Sequence, residues 1–153
     1  MNMQPTLIML CSPPAGGKTT YCATLRAAKP EAAYICPDVI RASLGNVNDQ
    51  SRNHHIFSVV VPSLIQSAAS EGRDIVYDAT SVTVKNRAGI IEQAKSLGYR
   101  IEVHVLRTTL EECVRRNATR TKTIPESVIH RMHAQFQTPT LAEGIDEIVE
   151  VAS

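Results

Sequence analysis

The stretch Leu7-Ile-Met-Leu-Cys-Ser-Pro-Pro-Ala-Gly-Gly-Lys-Thr-Thr20 constrains the fold of this chain more than any other. Leu7 to Cys11 is a short apolar run of the kind that makes a strand buried on both faces. The run breaks at Ser12-Pro13-Pro14-Ala15-Gly16-Gly17, and Lys18 to Ala28 can then form a helix. Strand, glycine-containing loop, Lys-Thr and helix together make a phosphate-binding P-loop. Its glycines let successive backbone N–H groups converge on one anion, and the new helix adds the positive end of its dipole. Ala15, Gly16, Gly17, Lys18, Thr19 and Thr20 are therefore the candidate nucleotide contacts. Lys18 is expected at the β- and γ-phosphates, and the Thr19 hydroxyl on Mg²⁺. The pattern departs from the usual one at its first position, where Ser12 stands in place of Gly.

The chain has 153 residues, 43% of them hydrophobic, enough for one domain over residues 1–153 with its own core. Its formal charge of +1 leaves no broad basic surface, so contact with nucleic acid would have to be local. The N-terminus lacks a basic region, and the first apolar run is too short to cross a membrane. Cys11, Cys22, Cys36 and Cys113 show no metal-ligand or redox spacing. They read as reduced thiols of a cytoplasmic protein. The histidines show no paired metal-ligand pattern and read as surface or core residues.

Predicted elements alternate along the chain. Strands are expected over 32–36, 74–78, 101–106 and 145–151, and helices over 38–44, 54–70, 84–97, 110–120 and 126–135. Pro62 inside the 54–70 segment predicts a kink or break there. Strands separated by helices imply an α/β fold, three layers with a central parallel sheet flanked by helices. Ligands of such sheets sit beyond the carboxyl ends of the strands, so the polar residues that follow each strand are candidates.

After the second strand come Asp38 and, three residues on, Arg41. Asp38 could take the proton of an attacking hydroxyl, and Arg41 could hold a phosphate bidentately. Asp38 could equally be the N-cap of the short helix. Asp78 closes the third strand, where an acid orients Mg²⁺ or its waters, and Thr80 could add a hydroxyl. Arg115, Arg116, Arg120 and Lys122 cluster near a helix end. Cations suit that end on their own account, but Arg116 and Arg120 share a face if the helix continues, as a small mobile lid over phosphates would require.

The succession Ser12-Pro-Pro-Ala-Gly-Gly-Lys-Thr-Thr20, Asp38-Val-Ile-Arg41, Asp78-Ala-Thr80 and Arg116-Asn-Ala-Thr-Arg120 resembles the kinase domain of the polynucleotide 5′-hydroxyl kinases. The tail from Gln135 to Asp146 resembles the end of the kinase part of the animal kinase–phosphatases. The resemblance implies an ATP- and Mg²⁺-dependent phosphotransferase acting on the 5′ end of a nucleic acid. It makes Asp38 the general base, Arg41 a contact to the substrate strand, Asp78 a second essential acid and Arg120 a lid arginine. Cys36-Pro37 replaces the family's usual Asn-Arg, and Asp78-Ala79-Thr80 its usual third-strand motif. The other acceptor compatible with these residues is a small molecule, such as a nucleoside, a sugar nucleotide or an antibiotic. A nucleotide switch lacks support: the chain has no Asn-Lys-x-Asp guanine signature, and Asp38 and Arg41 would be left without a purpose.

Overall fold

A computed structural model of the protein describes residues 4–47, 49–121 and 123–151. Five parallel strands form one sheet: β1 (Thr6–Cys11), β2 (Ala33–Ile35), β3 (Ile75–Tyr77), β4 (Arg100–Leu106) and β5 (Glu147–Val151), in the order β2-β3-β1-β4-β5. β1 is central. Leu7 pairs with Ile75 of β3 on one side and with Ile101 of β4 on the other.

The apolar run of β1 is continuous because helices cover both faces of the sheet. Leu7, Met9 and Cys11 pack with Ile75 and Tyr77 against Ile56, Val61, Ile65, Ile90 and Ile91. Ile8 and Leu10 turn the other way, with Val76, onto Cys22 and the flanking Tyr21 and Leu25. Each such side chain contributes about 1.5–3 kcal/mol by burial. The helices are α1 (Lys18–Ala28), α2 (Pro37–Ser43), α3 (Asn53–His55), α4 (Val61–Ser70), α5 (Val84–Ser96), α6 (Leu110–Ala118) and α7 (Glu126–Ala134). None is long and apolar enough to cross a membrane, among the described residues.

The strands and helices run within one to three residues of the expected bounds. α3 and α4 belong to one helical run, joined by a π-helical segment, Ile56–Val60. The expected break at Pro62 takes this form. Proline lacks an N–H and crowds the preceding turn, and a wider i→i+5 turn just ahead of it relieves both problems. All four cysteines are free and buried.

Candidate active site

The P-loop runs from the carboxyl end of β1 into α1. Ser12 is fully buried, with its N–H donating to Thr80 O at 2.9 Å and its Oγ donating to Pro13 O at 2.9 Å. The left-handed positions of the loop are Ala15 (φ 60°) and Gly17 (φ 95°), so a serine at position 12 meets no backbone strain. Gly16 is required for space: a Cβ there would lie 2.6 Å from Ser12 Oγ and 2.8 Å from the carbonyl oxygen of Pro13. Thr108, just beyond β4, braces the loop from behind, its Oγ1 donating to Gly16 O at 2.7 Å. Its own carbonyl accepts from His133 Nε2 at 3.0 Å.

Lys18 and Asp78 meet directly. The Lys18 ammonium donates to Asp78 Oδ1, and the Tyr34 hydroxyl donates to Asp78 Oδ2. Asp78 is buried at the carboxyl end of β3. Burial pushes its carboxyl up, yet the charge of Lys18 and hydrogen bonds from Lys18, Tyr34 and Cys22 outweigh this, so it titrates below the usual aspartate range. The same surroundings, burial first and then the Asp78 charge, push the Cys22 thiol up to about 11. Burial and the bond to Asp78 also raise the Tyr34 hydroxyl, which stays a donor. Thr80 reaches this region through its backbone carbonyl on Ser12. Thr19 and Thr20 are exposed in the first turn of α1. A buried ionised carboxylate beside the loop lysine and an exposed hydroxyl one residue on form an all-oxygen donor set. That set fits Mg²⁺, which takes one or two protein oxygens and completes its shell with phosphates and water.

Asp38 is not the N-cap of α2. Cys36 holds that position in extended conformation, and Pro37 starts the helix with the φ it already prefers. Asp38 lies in the first turn with its carboxylate largely exposed. Its partner Arg41 is buried, and Nη1 donates to Asp38 Oδ1 at 2.7 Å. Arg41 Nε and Nη2 both donate to Asn53 Oδ1, at 3.0 and 2.8 Å, and Asn53 Nδ2 donates to Gln50 Oε1 at 2.6 Å. Three of the five guanidinium N–H groups are therefore already engaged.

α6 ends at Ala118, so Arg120 lies past the helix and does not share a helical face with Arg116, contrary to expectation. Arg116 does reach the P-loop: its Nη1 is 2.6 Å from where a Cβ on Gly17 would stand. Its Nε donates to Glu112 Oε1 at 2.9 Å, and Glu112 also pairs with Arg115. Hydrogen bonds from these two arginines hold the Glu112 carboxyl down to about 2. Arg120 is exposed, and Lys122 lies outside the described residues. A clasp closes the loop between α6 and α7. Asn117 Nδ2 donates to Ile124 O, and Ile124 N donates to Asn117 Oδ1, both at 2.8 Å.

Tyr34, Asn53, Thr108 and Asn117 were not singled out in the sequence. Only Asn117 had a signal, as the residue after Arg116 in the motif that carried the resemblance.

A parallel β2-β3-β1-β4-β5 sheet carrying a P-loop on its central strand is the P-loop kinase fold, a nucleotide-binding architecture. Residues 7–139 match the family described as an AAA domain, and the chain belongs to that family. Among solved structures, a chain of the Pnkp1/Rnl/Hen1 RNA repair complex superposes with a TM-score of 0.74 at 18% identity, over 88% of this chain and 45% of that one. This chain thus spans less than half of that relative. Chaetomium thermophilum Kti12, in complex with ADP-AlF3, gives 0.70 at 16% identity over 95% and 88% of the two chains. A gluconokinase from Sinorhizobium meliloti gives 0.60 at 14% identity over 97% and 82%. The shared property is the fold.

Proposed function

We propose that residues 1–153 act as one kinase domain that transfers the γ-phosphate of ATP to the 5′-hydroxyl of a nucleic acid. The observation that carries this reading is the Asp38–Arg41–Asn53 arrangement. An exposed carboxylate, fixed by a buried arginine, stands at the same end of the sheet as the Lys18–Asp78 pair. Asp38 then orients the acceptor hydroxyl and takes its proton. Lys18 leaves Asp78 for the phosphates, the N–H groups of the Ala15–Thr20 turn hold them, and Arg116 from the last turn of α6 and Arg120 from the α6–α7 loop approach them. Arg41 keeps two N–H groups for a phosphate of the strand. Asp78 and Thr19 would hold Mg²⁺, whose chemistry is to neutralise charge on the β- and γ-oxygens. The likeness to a chain of an RNA repair complex supports the acceptor. A cytoplasmic location suits such an enzyme.

A small-molecule acceptor is the second reading, favoured by the likeness to a gluconokinase and by the near-neutral charge of the chain. The experiment is transfer of labelled phosphate from ATP to a panel of 5′-hydroxyl DNA and RNA oligonucleotides, nucleosides and gluconate. Lys18→Ala, folded by its melting curve, should lose turnover by orders of magnitude. Transfer to nucleosides or gluconate as fast as to oligonucleotides would replace the first reading with the second.

A further inference from the structure

Besides Lys18, the carboxylate of Asp78 is held by the Cys22 thiol and by the Tyr34 hydroxyl, and the kinase reading leaves the tyrosine unexplained. Tyr34 comes from edge strand β2, in register with Val76 of β3, and its hydroxyl reaches across to Asp78 Oδ2. The Arg26 guanidinium stacks over the Tyr34 ring, 3.6 Å from the ring centroid. The ring packs against the apolar cluster of Ile8, Leu10, Cys22 and Val76, a role that phenylalanine would fill as well. Phenylalanine would lack the hydroxyl and with it the bond to Asp78; the hydroxyl also interacts with the neighbouring Cys36 thiol.

We propose that Tyr34 is a positioning residue that holds Asp78 in the orientation in which it receives magnesium with the nucleotide. The proposal rests on the reading of Asp78 as the magnesium acid. A carboxylate turns freely about its last torsion, whose energy well is broad and two-fold. In this structure Lys18 holds Oδ1 and Tyr34 holds Oδ2. Lys18 is the partner that nucleotide phosphates draw away. Tyr34 is held by its strand and by Arg26 and stays on Oδ2. Oδ2 stays anchored while Oδ1 is uncovered on the side the lysine has left. Outer partners of this kind are commonly worth about 10–100-fold in metal affinity.

The test is calorimetric titration of ADP into the parent, Tyr34→Phe and Tyr99→Phe, each with excess Mg²⁺ and with a chelator. Tyr99 is the comparator because its hydroxyl also makes one buried-side bond, to Arg73 O at 2.6 Å, at the opposite end of the sheet. Tyr34→Phe should bind metal-free ADP within about twofold of the parent and lose about tenfold or more of the gain that Mg²⁺ confers. Tyr99→Phe should keep that gain. A Tyr34→Phe protein with the parental gain overturns the proposal, as does one weakened equally with and without Mg²⁺. If the parent itself shows no Mg²⁺ gain, the reading of Asp78 falls and this inference falls with it, an outcome distinguishable from failure of the variant alone.

Discussion

Asp38 lies in the first turn of α2, which Cys36 and Pro37 start, and its carboxylate accepts from Arg41 Nη1. Its contribution to stability should therefore be small, since an ion pair with one exposed member is worth about 0–1 kcal/mol. Asp38→Asn keeps an oxygen for Arg41 and loses the capacity to take a proton. It should unfold within about 1 kcal/mol of the parent in denaturant. Its kcat should nonetheless fall about 10²–10⁴-fold in the phosphate-transfer assay. Turnover near the parental rate would end the claim that Asp38 is the base and send the search to Asp78.

The element most exposed to test is the loop between α6 and α7. Asn117 is buried and spends both ends of its amide on Ile124, closing the loop at its neck while Arg120 stands out in solvent. Asn117→Ala leaves a backbone N–H and C=O without partners, which costs about 1–3 kcal/mol. Limited proteolysis should then cut the loop faster than in the parent, and saturating ADP should slow cleavage less. Equal cleavage rates would show that the clasp does not control the loop. Elements of this chain were legible wherever periodicity and punctuation agreed: the β1 run, the Gly-Gly-Lys-Thr turn and the alternation of strands with helices. The clasp was not legible, because an asparagine amide that bonds backbone seven residues on leaves no periodic trace. Nor was the Arg41–Asn53 contact, which depends on how α2 meets the α3–α4 run across a loop. The kink at Pro62 could be foreseen, but its π-helical form could not, since that depends on how the turn before it packs. That Lys18 and Asp78 stand at one end of the sheet followed from the rule that parallel strands deliver their following residues there, but their direct contact did not, and the Tyr34 hydroxyl beside it had no signature at all.

At the scale of the molecule, Arg87 is the least expected residue. It is fully buried and pairs with Glu143 through Nε at 2.8 Å and Nη2 at 3.2 Å, while donating to Ser81 O at 2.8 Å and Gln137 O at 3.0 Å. It ties the segment after β3, helix α5 and the approach to β5 into one body. Burial raises the Glu143 carboxyl, but hydrogen bonds from Arg87 and the Thr140 N–H, with the Arg87 charge, bring it below its ordinary value of 4.5. A depressed carboxyl gives stability that is complete above that ordinary value and is lost as pH falls through the folded one. Glu143→Gln should cost about 3–5 kcal/mol at neutral pH, the scale of a buried charge left uncompensated. The gap to the parent should narrow below pH 4.5 in denaturant melts; a gap that does not change with pH would refute the linkage. The strand order has a consequence for how the chain is made. β1 is synthesised before both of its partners: Leu7 pairs with Ile75 and Thr6 with Arg100, residues that emerge from the ribosome much later. Leu7-Ile-Met-Leu-Cys11 is a sticky, uncharged ribbon with both edges open until β3 is out and one edge open until β4 is out, the kind of segment on which chaperones act and aggregates grow. Slowing translation just before Arg100 should therefore lower soluble yield more than slowing it after Leu106.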